Sequence, residues 1–292
     1  MAIELACSTL NYAAFPFLRA LDGIARAGFK FVGIGATHEN KRYGSGAMSD
    51  AEVREMAVQL GDRGLKANSC LSFEVHLGPA EESVAKFKRE LEVLAVLGCT
   101  RAIIGGPWYY KKWPTEIHAP EEWQKICAQF YACMDQVLPH AEALGIVICV
   151  KPHTGLVAHS GLVTPVLKRL HSPSLKICWD AGNVSFYEGI RPDPGLPAVA
   201  PSVRCVCLKD HLGERANPVF PPLGEGNVNH DELFGVLAKG GFDDVLMIER
   251  LGVRDGEKDL PSEEFDVRGA QAIAFLTPLI RKHFSVPSAV RN

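Results

Sequence analysis

The sequence is poor in net charge: 31 lysine and arginine residues nearly cancel 34 aspartate and glutamate residues, leaving a formal −3 over 292 residues. With no basic patch and no block of like charge, a nucleic-acid partner or a membrane-surface partner is not expected. Apolar runs long enough to span a bilayer, roughly 18 residues, are missing too. The opening "MAIELACSTLNY" has no basic stretch leading into an apolar core, so no secretory signal is expected. Cysteine is not scarce, but its usual spacings are. The nine residues are odd in number, form no CxxC pair and sit mainly inside apolar segments. They read as small hydrophobes kept reduced rather than as a disulfide framework. A P-loop, a GxGxxG fingerprint and an HExxH string are also absent, and "GIGATHEN" is not a dinucleotide motif. These absences lead to the expectation of a soluble, cytoplasmic globular protein.

What is present is alternation. Eight short β-like segments follow one another: "IELACST", "FVGIGAT", "LKANSCLS", "RAIIGGP", "IVICVKP", "LKICWDA", "VRCVCLK" and "VLMIERL". Between them lie amphipathic stretches such as "DAEVREMAVQLGDRG" and "EESVAKFKRELEVLAVLG", with apolar residues at helical spacing and a glycine at the end. "SDAEVRE" and "NHDELFG" open on residues able to cap a helix. Eight strand–helix units predict a parallel sheet closed into a single α/β (β/α)8 TIM barrel over residues 1–285, followed by a tail at 286–292. The long irregular pieces after strands four and seven fall where such a barrel builds its active site.

Alternate residues of a barrel strand point inward, so the polar residues at the strand ends share one pocket. They are Lys151 in "VICVKPHTG", Asp180 in "ICWDAGN", Lys209 or Cys207 in "CVCLKDH", and Glu249 in "LMIERL". One layer deeper the same registers predict a sulfur-rich floor of Cys149, Cys178, Cys205 and Met247.

"VICVKPHTG", "KICWDAGNV", "VCLKDH" and "FPPLGEGNVNHDELFGVLAKGGFDDVLMIERL" together resemble the sugar phosphate isomerase/epimerase family with its xylose-isomerase-like barrel. The resemblance follows the strand–helix order of nearly the whole chain and is most specific from Val147 to Leu251. It implies a divalent metal held by Glu, Asp, His and Glu from strands five to eight, with the two glutamates acting as an acid/base pair. Asp180 and Glu249 match their positions. The strand-five glutamate is replaced by Lys151, and the strand-seven histidine by Cys207. A protonated ammonium cannot ligate a cation and competes for the same carboxylates.

Three readings of Lys151 stay open. Its ammonium takes the place of the metal, paired with Asp180 and Glu249. Alternatively, desolvation lowers its pKa until it serves as a base or a Schiff-base nucleophile. In the third reading a metal binds through Asp180, Glu249, Cys207 and His211, a donor set that favours zinc over manganese or magnesium. The cofactor expectation is therefore no metal, or one divalent ion of zinc, manganese or magnesium.

Other polar groups are candidates for holding a sugar. The resemblance implies His153 for a hydroxyl, Asn183 for orienting substrate or Asp180, and Lys209 with Asp210 for positioning. Trp108 after strand four suits stacking on a sugar ring, and its alternative is lid packing. His76 and Glu225 read equally as solvated loop residues, and "HENKRYGSG" places His38, Lys41 and Arg42 where an anionic or hydroxylated ligand is one option. The expected activity is proton abstraction beside a carbonyl by Glu249, with Lys151 or a metal stabilising the enolate, as in an isomerase, epimerase or keto-sugar lyase/dehydratase. The alternative is a sugar-binding or regulatory homologue without chemistry. The abasic-site endonuclease branch of the superfamily is disfavoured by the depleted ligand set and the missing basic groove. A homo-oligomer is compatible with all of these.

Overall fold

The computed structural model describes residues 3–35, 37–72 and 80–284. Eight parallel strands form the wall of a closed barrel: β1 (Glu4–Ser8), β2 (Phe31–Ile34), β3 (Lys66–Leu71), β4 (Arg101–Gly105), β5 (Val147–Lys151), β6 (Leu175–Trp179), β7 (Val203–Leu208) and β8 (Val245–Ile248). Each strand pairs with its sequence neighbours, and β8 closes on β1 through Glu4↔Val245 to Cys7↔Ile248. All eight strands read from the sequence are present. Two short antiparallel hairpins, Thr37–His38 with Lys41–Arg42 and Tyr110–Lys112 with Glu116–Ile117, decorate the loops after β2 and β4. The tail at 286–292 lies outside the described residues.

Helices α1 (Phe17–Arg26), α2 (Asp50–Asp62), α3 (Ala80–Val96), α4 (Pro120–Ala143), α5 (Ser160–Leu170), α6 (Leu196–Val199), α7 (His230–Lys239) and α8 (Ser262–His283) form the outer layer. Their starts follow the sequence signals. Ser49 and Glu52 form a reciprocal capping box at α2, and the Asn229 side chain accepts from the Glu232 backbone N–H at α7. No helix among the described residues is long and apolar enough to cross a membrane.

The period-two alternation of the strands divides the core in two. Outward residues such as Val32, Ile104, Val150, Trp179, Leu208 and Ile248 pack under the helices. Inward residues form a smaller cluster that includes Ala6, Leu71, Ile103, Cys149, Cys178, Cys205, Cys207 and Met247. The expected sulfur-rich floor is therefore present, and Cys207 belongs to it as well.

The loop after β7 has no regular structure and is held by one side chain. The Asp210 carboxylate accepts backbone N–H groups of His211 at 2.9 Å, Gly224 at 2.9 Å and Val228 at 3.0 Å. Gly226 gives the chain room to pass, since a Cβ there would stand 2.2 Å from Asp210 Oδ1. Burial alone would raise the Asp210 carboxyl, but His230 and the backbone donors hold it below its ordinary value. That stability is present above the unfolded-state pKa and is lost as pH falls through the lowered one. Asp210→Ala strands three donors, and it is expected to lower the unfolding free energy by about 2–4 kcal/mol. Urea denaturation at neutral pH measures this, and the deficit relative to wild type is expected to shrink on acidification.

Candidate active site

Lys151, Asp180, Lys209 and Glu249 are the next inward positions above the sulfur floor on β5, β6, β7 and β8. The alternation Cys149–Lys151, Cys178–Asp180, Cys205–Cys207–Lys209 and Met247–Glu249 brings their four side chains to one point. Lys151 donates to Glu249 Oε1 in a short contact, and its Nζ lies 3.3 Å from Asp180 Oδ2. Lys209 pairs closely with Glu249 Oε2 and stands 3.0 Å from Asp180 Oδ2. Two ammonium groups and two carboxylates thus form a closed square whose charges cancel. All four residues are buried, with Lys151 only 3% exposed, so none has bulk water as an alternative partner.

The second lysine is the main departure from expectation. Lys209, read as a positioning residue, belongs to the charged centre itself. The signal was its parity with Cys205 and Cys207, which points it inward. The "DAGN" turn is built around it. Asn183 Oδ1 accepts from Lys209 Nζ at 2.8 Å, while Asn183 Nδ2 donates to Pro152 O and its backbone N–H caps Asp180 Oδ1. Gly182 clears the path, because a Cβ there would meet Lys209 Cγ at 2.4 Å.

The electrostatics select among the readings of Lys151. Burial alone would lower its pKa, but Glu249 and Asp180 more than offset this and hold it well above the usual lysine value. An ammonium held in its charged form donates hydrogen bonds but has no lone pair with which to form a Schiff base. Burial likewise opposes ionisation of Glu249, yet Lys151 and Lys209 hold its carboxyl well below the ordinary range. Burial raises the Asp180 carboxyl, with the two lysines opposing.

A divalent metal does not fit these residues. Asp180, Cys207 and Glu249 do offer ligand atoms within 4.8 Å of one another. Both carboxylates, however, are already held by two ammonium groups that would repel a cation. Burial pushes the Cys207 thiol well above its usual value, and that thiol accepts from Cys178 Sγ at 3.4 Å. His211 does not join the group. Its Nδ1 bonds Ser185 Oγ at 2.8 Å and its Nε2 contacts Asn217 O at 2.9 Å.

Aromatic side chains line the mouth. Trp108, 40% exposed, stands 5.8 Å from the His153 ring and 5.6 Å from Tyr187, and His153 and Tyr187 are 5.6 Å apart. His153 Nδ1 contacts Lys151 O at 3.2 Å. Tyr187 and Phe220 were not singled out in the sequence, because aromatics inside irregular loops carry no periodic signal. Glu225 lies at the rim in an ion pair with Arg254. His38 is buried, bonded to Phe15 O and stacked edge-on with Phe17. Lys41 pairs with Glu52, so this cluster serves the second loop. His76 lies outside the described residues.

A family model described as a xylose isomerase-like TIM barrel matches residues 21–268. Solved structures with this fold include a xylose isomerase domain protein from Planctomyces limnophilus, at 18% identity and TM-score 0.69, covering 96% of this chain and 97% of that one. A D-allulose 3-epimerase from Methylomonas sp. is 17% identical with TM-score 0.71, over 96% and 100% of the chains. A xylose isomerase-like TIM barrel protein from Mycobacterium smegmatis, in complex with magnesium, is 15% identical with TM-score 0.72, over 95% and 97%. No curated protein sequence matches the chain.

Three outcomes test this geometry. Burial, then the Lys151 charge, lowers the His153 pKa to about 3. A labelled-histidine NMR titration should therefore show a neutral imidazole well below its ordinary pKa. The same shift makes His153 favour the fold above its unfolded pKa and withdraw that support as pH falls toward about 3. Lys151→Met leaves the carboxylates short of one buried cation and is expected to cost about 3–5 kcal/mol in chemical denaturation. Gly182→Ala, which crowds Lys209, should cost about 1–3 kcal/mol.

Proposed function

The chain belongs to the xylose isomerase-like TIM barrel family, and on that footing we propose that it is a sugar isomerase- or epimerase-type enzyme that works without a metal. Its ligand is a small carbohydrate, and its reaction starts by removing a proton from the carbon beside a carbonyl. The epimerase among the structural neighbours supports the class of reaction. The observation that carries the reading is the short contact of the Lys151 ammonium with Glu249 at the strand tips.

Chemically, the substrate carbonyl oxygen replaces a carboxylate oxygen as the acceptor of one ammonium group. Glu249, released from that lysine, becomes a stronger base and takes the proton from the adjacent carbon. The C–H electron pair moves into the enolate, whose oxygen is held by the ammonium. A lysine so placed supplies electrostatic stabilisation where the charge develops. An isomerisation is completed when the hydroxyl on that carbon passes its proton to the former carbonyl oxygen, so that a new carbonyl forms, and Glu249 returns its proton to the former carbonyl carbon. Epimerisation needs a second proton carrier, and Lys151 is the group in contact. Trp108, His153 and Tyr187 offer an aromatic wall for the sugar's apolar face, and Asn183 keeps Lys209 in place.

The second reading, a sugar-binding homologue without chemistry, is favoured by one observation. Glu249 is held by two lysines at once, and a carboxylate so stabilised is a weak base. Solvent deuterium incorporation into a panel of ketoses and aldoses, followed by NMR, separates the two. On the enzyme reading, Glu249→Gln lowers the exchange rate about 10²–10⁴-fold with the fold intact. Dialysis against a chelator leaves the wild-type rate and melting temperature unchanged. Failure of the wild type to exchange any sugar overturns the enzyme reading, and chelator-sensitive exchange overturns its metal-free form.

A further inference from the structure

Glu249 and Arg250 both line a cleft of about 430 Å3 bordered by Phe220, Asn11 and the turn from Gly252 to Glu257. Glu249 and Arg250 are consecutive, with Cα atoms about 3.8 Å apart. The first side chain enters the charged square, while the second is exposed. The Arg250 guanidinium carbon lies 4.8 Å from the Phe220 ring centroid, and Lys209 Nζ lies 5.9 Å from the same centroid. One aromatic ring therefore adjoins both the buried centre and the exposed cation.

The other charges at this cleft are largely taken up. Arg254 pairs with Glu225 at 2.6 Å and with Glu257 at 3.4 Å, and Glu257 also pairs with Arg268 at 2.9 Å. The four charges of the buried square cancel. Among the described residues no carboxylate stands within ion-pair distance of Arg250, and Asp255, the remaining acid on this wall, has no cationic partner at that distance. Beside Glu249 the cleft thus presents a guanidinium backed by an aromatic ring and lacking an anion. Two parallel N–H groups of a guanidinium match the two oxygens of a carboxylate. Asp255 on the same wall repels a more highly charged anion, so a single carboxylate held by the guanidinium fork suits this wall better than a phosphate dianion.

We propose that Arg250 makes the site selective for a carbohydrate that carries a carboxylate, with its carbonyl end at Lys151 and Glu249 and its acid end on Arg250. This rests on the proton-transfer reading of the same site and names its substrate class, a sugar acid of the keto-uronate type.

The test compares D-fructuronate, D-fructose and D-fructose 6-phosphate by isothermal titration calorimetry and by solvent deuterium exchange on the full chain. The wild type is expected to bind the keto-uronate roughly ten- to a hundredfold more tightly than the neutral sugar, the scale of a hydrogen bond to a charged group. Arg250→Gln brings that ratio close to one, and Arg250→Lys keeps part of it, because charge survives while the fork is lost. A wild type that shows no preference for the keto-uronate, or binds none of the three, overturns the proposal. So does tighter binding of the sugar phosphate, or an unchanged ratio in Arg250→Gln. The two readings fail separately. Carboxylate-selective binding without exchange overturns the enzyme alone, whereas exchange without charge selectivity overturns the role of Arg250 alone.

Discussion

Four buried charges that must cancel govern this barrel. Lys151, Lys209, Asp180 and Glu249 meet at the end of a parallel-stranded core, where an unbalanced charge costs several kcal/mol. Removing any one of them leaves the other three unbalanced. The neighbouring features follow from that requirement. Gly182 is small so that the Lys209 stem can pass, and Asn183 turns its amide oxygen toward the Lys209 ammonium. The layer beneath is made of thiols and a thioether, which fill space without adding a competing charge. Burial pushes the Cys149 thiol up to about 12 and that of Cys205 to about 11, so this floor stays neutral. A buried ion pair is rarely a net gain in stability over apolar packing. Four such contacts together at the open end of a barrel therefore fit the proposed site better than a device for holding the fold.

Much of this was legible in the sequence because a barrel strand has a period of two. Once Cys149, Cys178, Cys205 and Met247 are taken as inward, the polar residue two positions on from each of Cys149, Cys178 and Met247 is inward as well. On β7 the same parity runs through Cys207 to Lys209, and a comparison of family positions stops one step short, at Cys207. Lys209 was therefore named but given a lesser part. The aromatic wall was less accessible. Tyr187 lies within a single short helical turn after β6, and Phe220 lies in a loop held by Asp210, so neither element is long enough to show a period. His211 shows the opposite error: its place beside the Lys-Asp pair suggests a ligand, but both ring nitrogens are committed to the loop.

Within a family whose Mycobacterium smegmatis member is in complex with magnesium, this chain presents a different solution to one electrostatic problem. Proton abstraction beside a carbonyl places negative charge on oxygen, and positive charge must be close by to receive it. An ion held by carboxylates supplies that charge from outside the chain. On the reading proposed above, two lysines would supply it from within, where they contact Asp180 and Glu249.

Asp210 gives the site a mechanical property. It follows Lys209 directly, and its carboxylate holds Gly224 and Val228 of the loop that carries Phe220. The cation of the buried centre and the ring beside Arg250 are thus fixed to one short piece of backbone. They form a single jig in which the floor of the cleft and one corner of the charged square share an anchor. The turn after β8 is held to the same gauge, because its Val253 N–H donates to Phe220 O at 2.8 Å and its Arg254 pairs with Glu225 of the same loop.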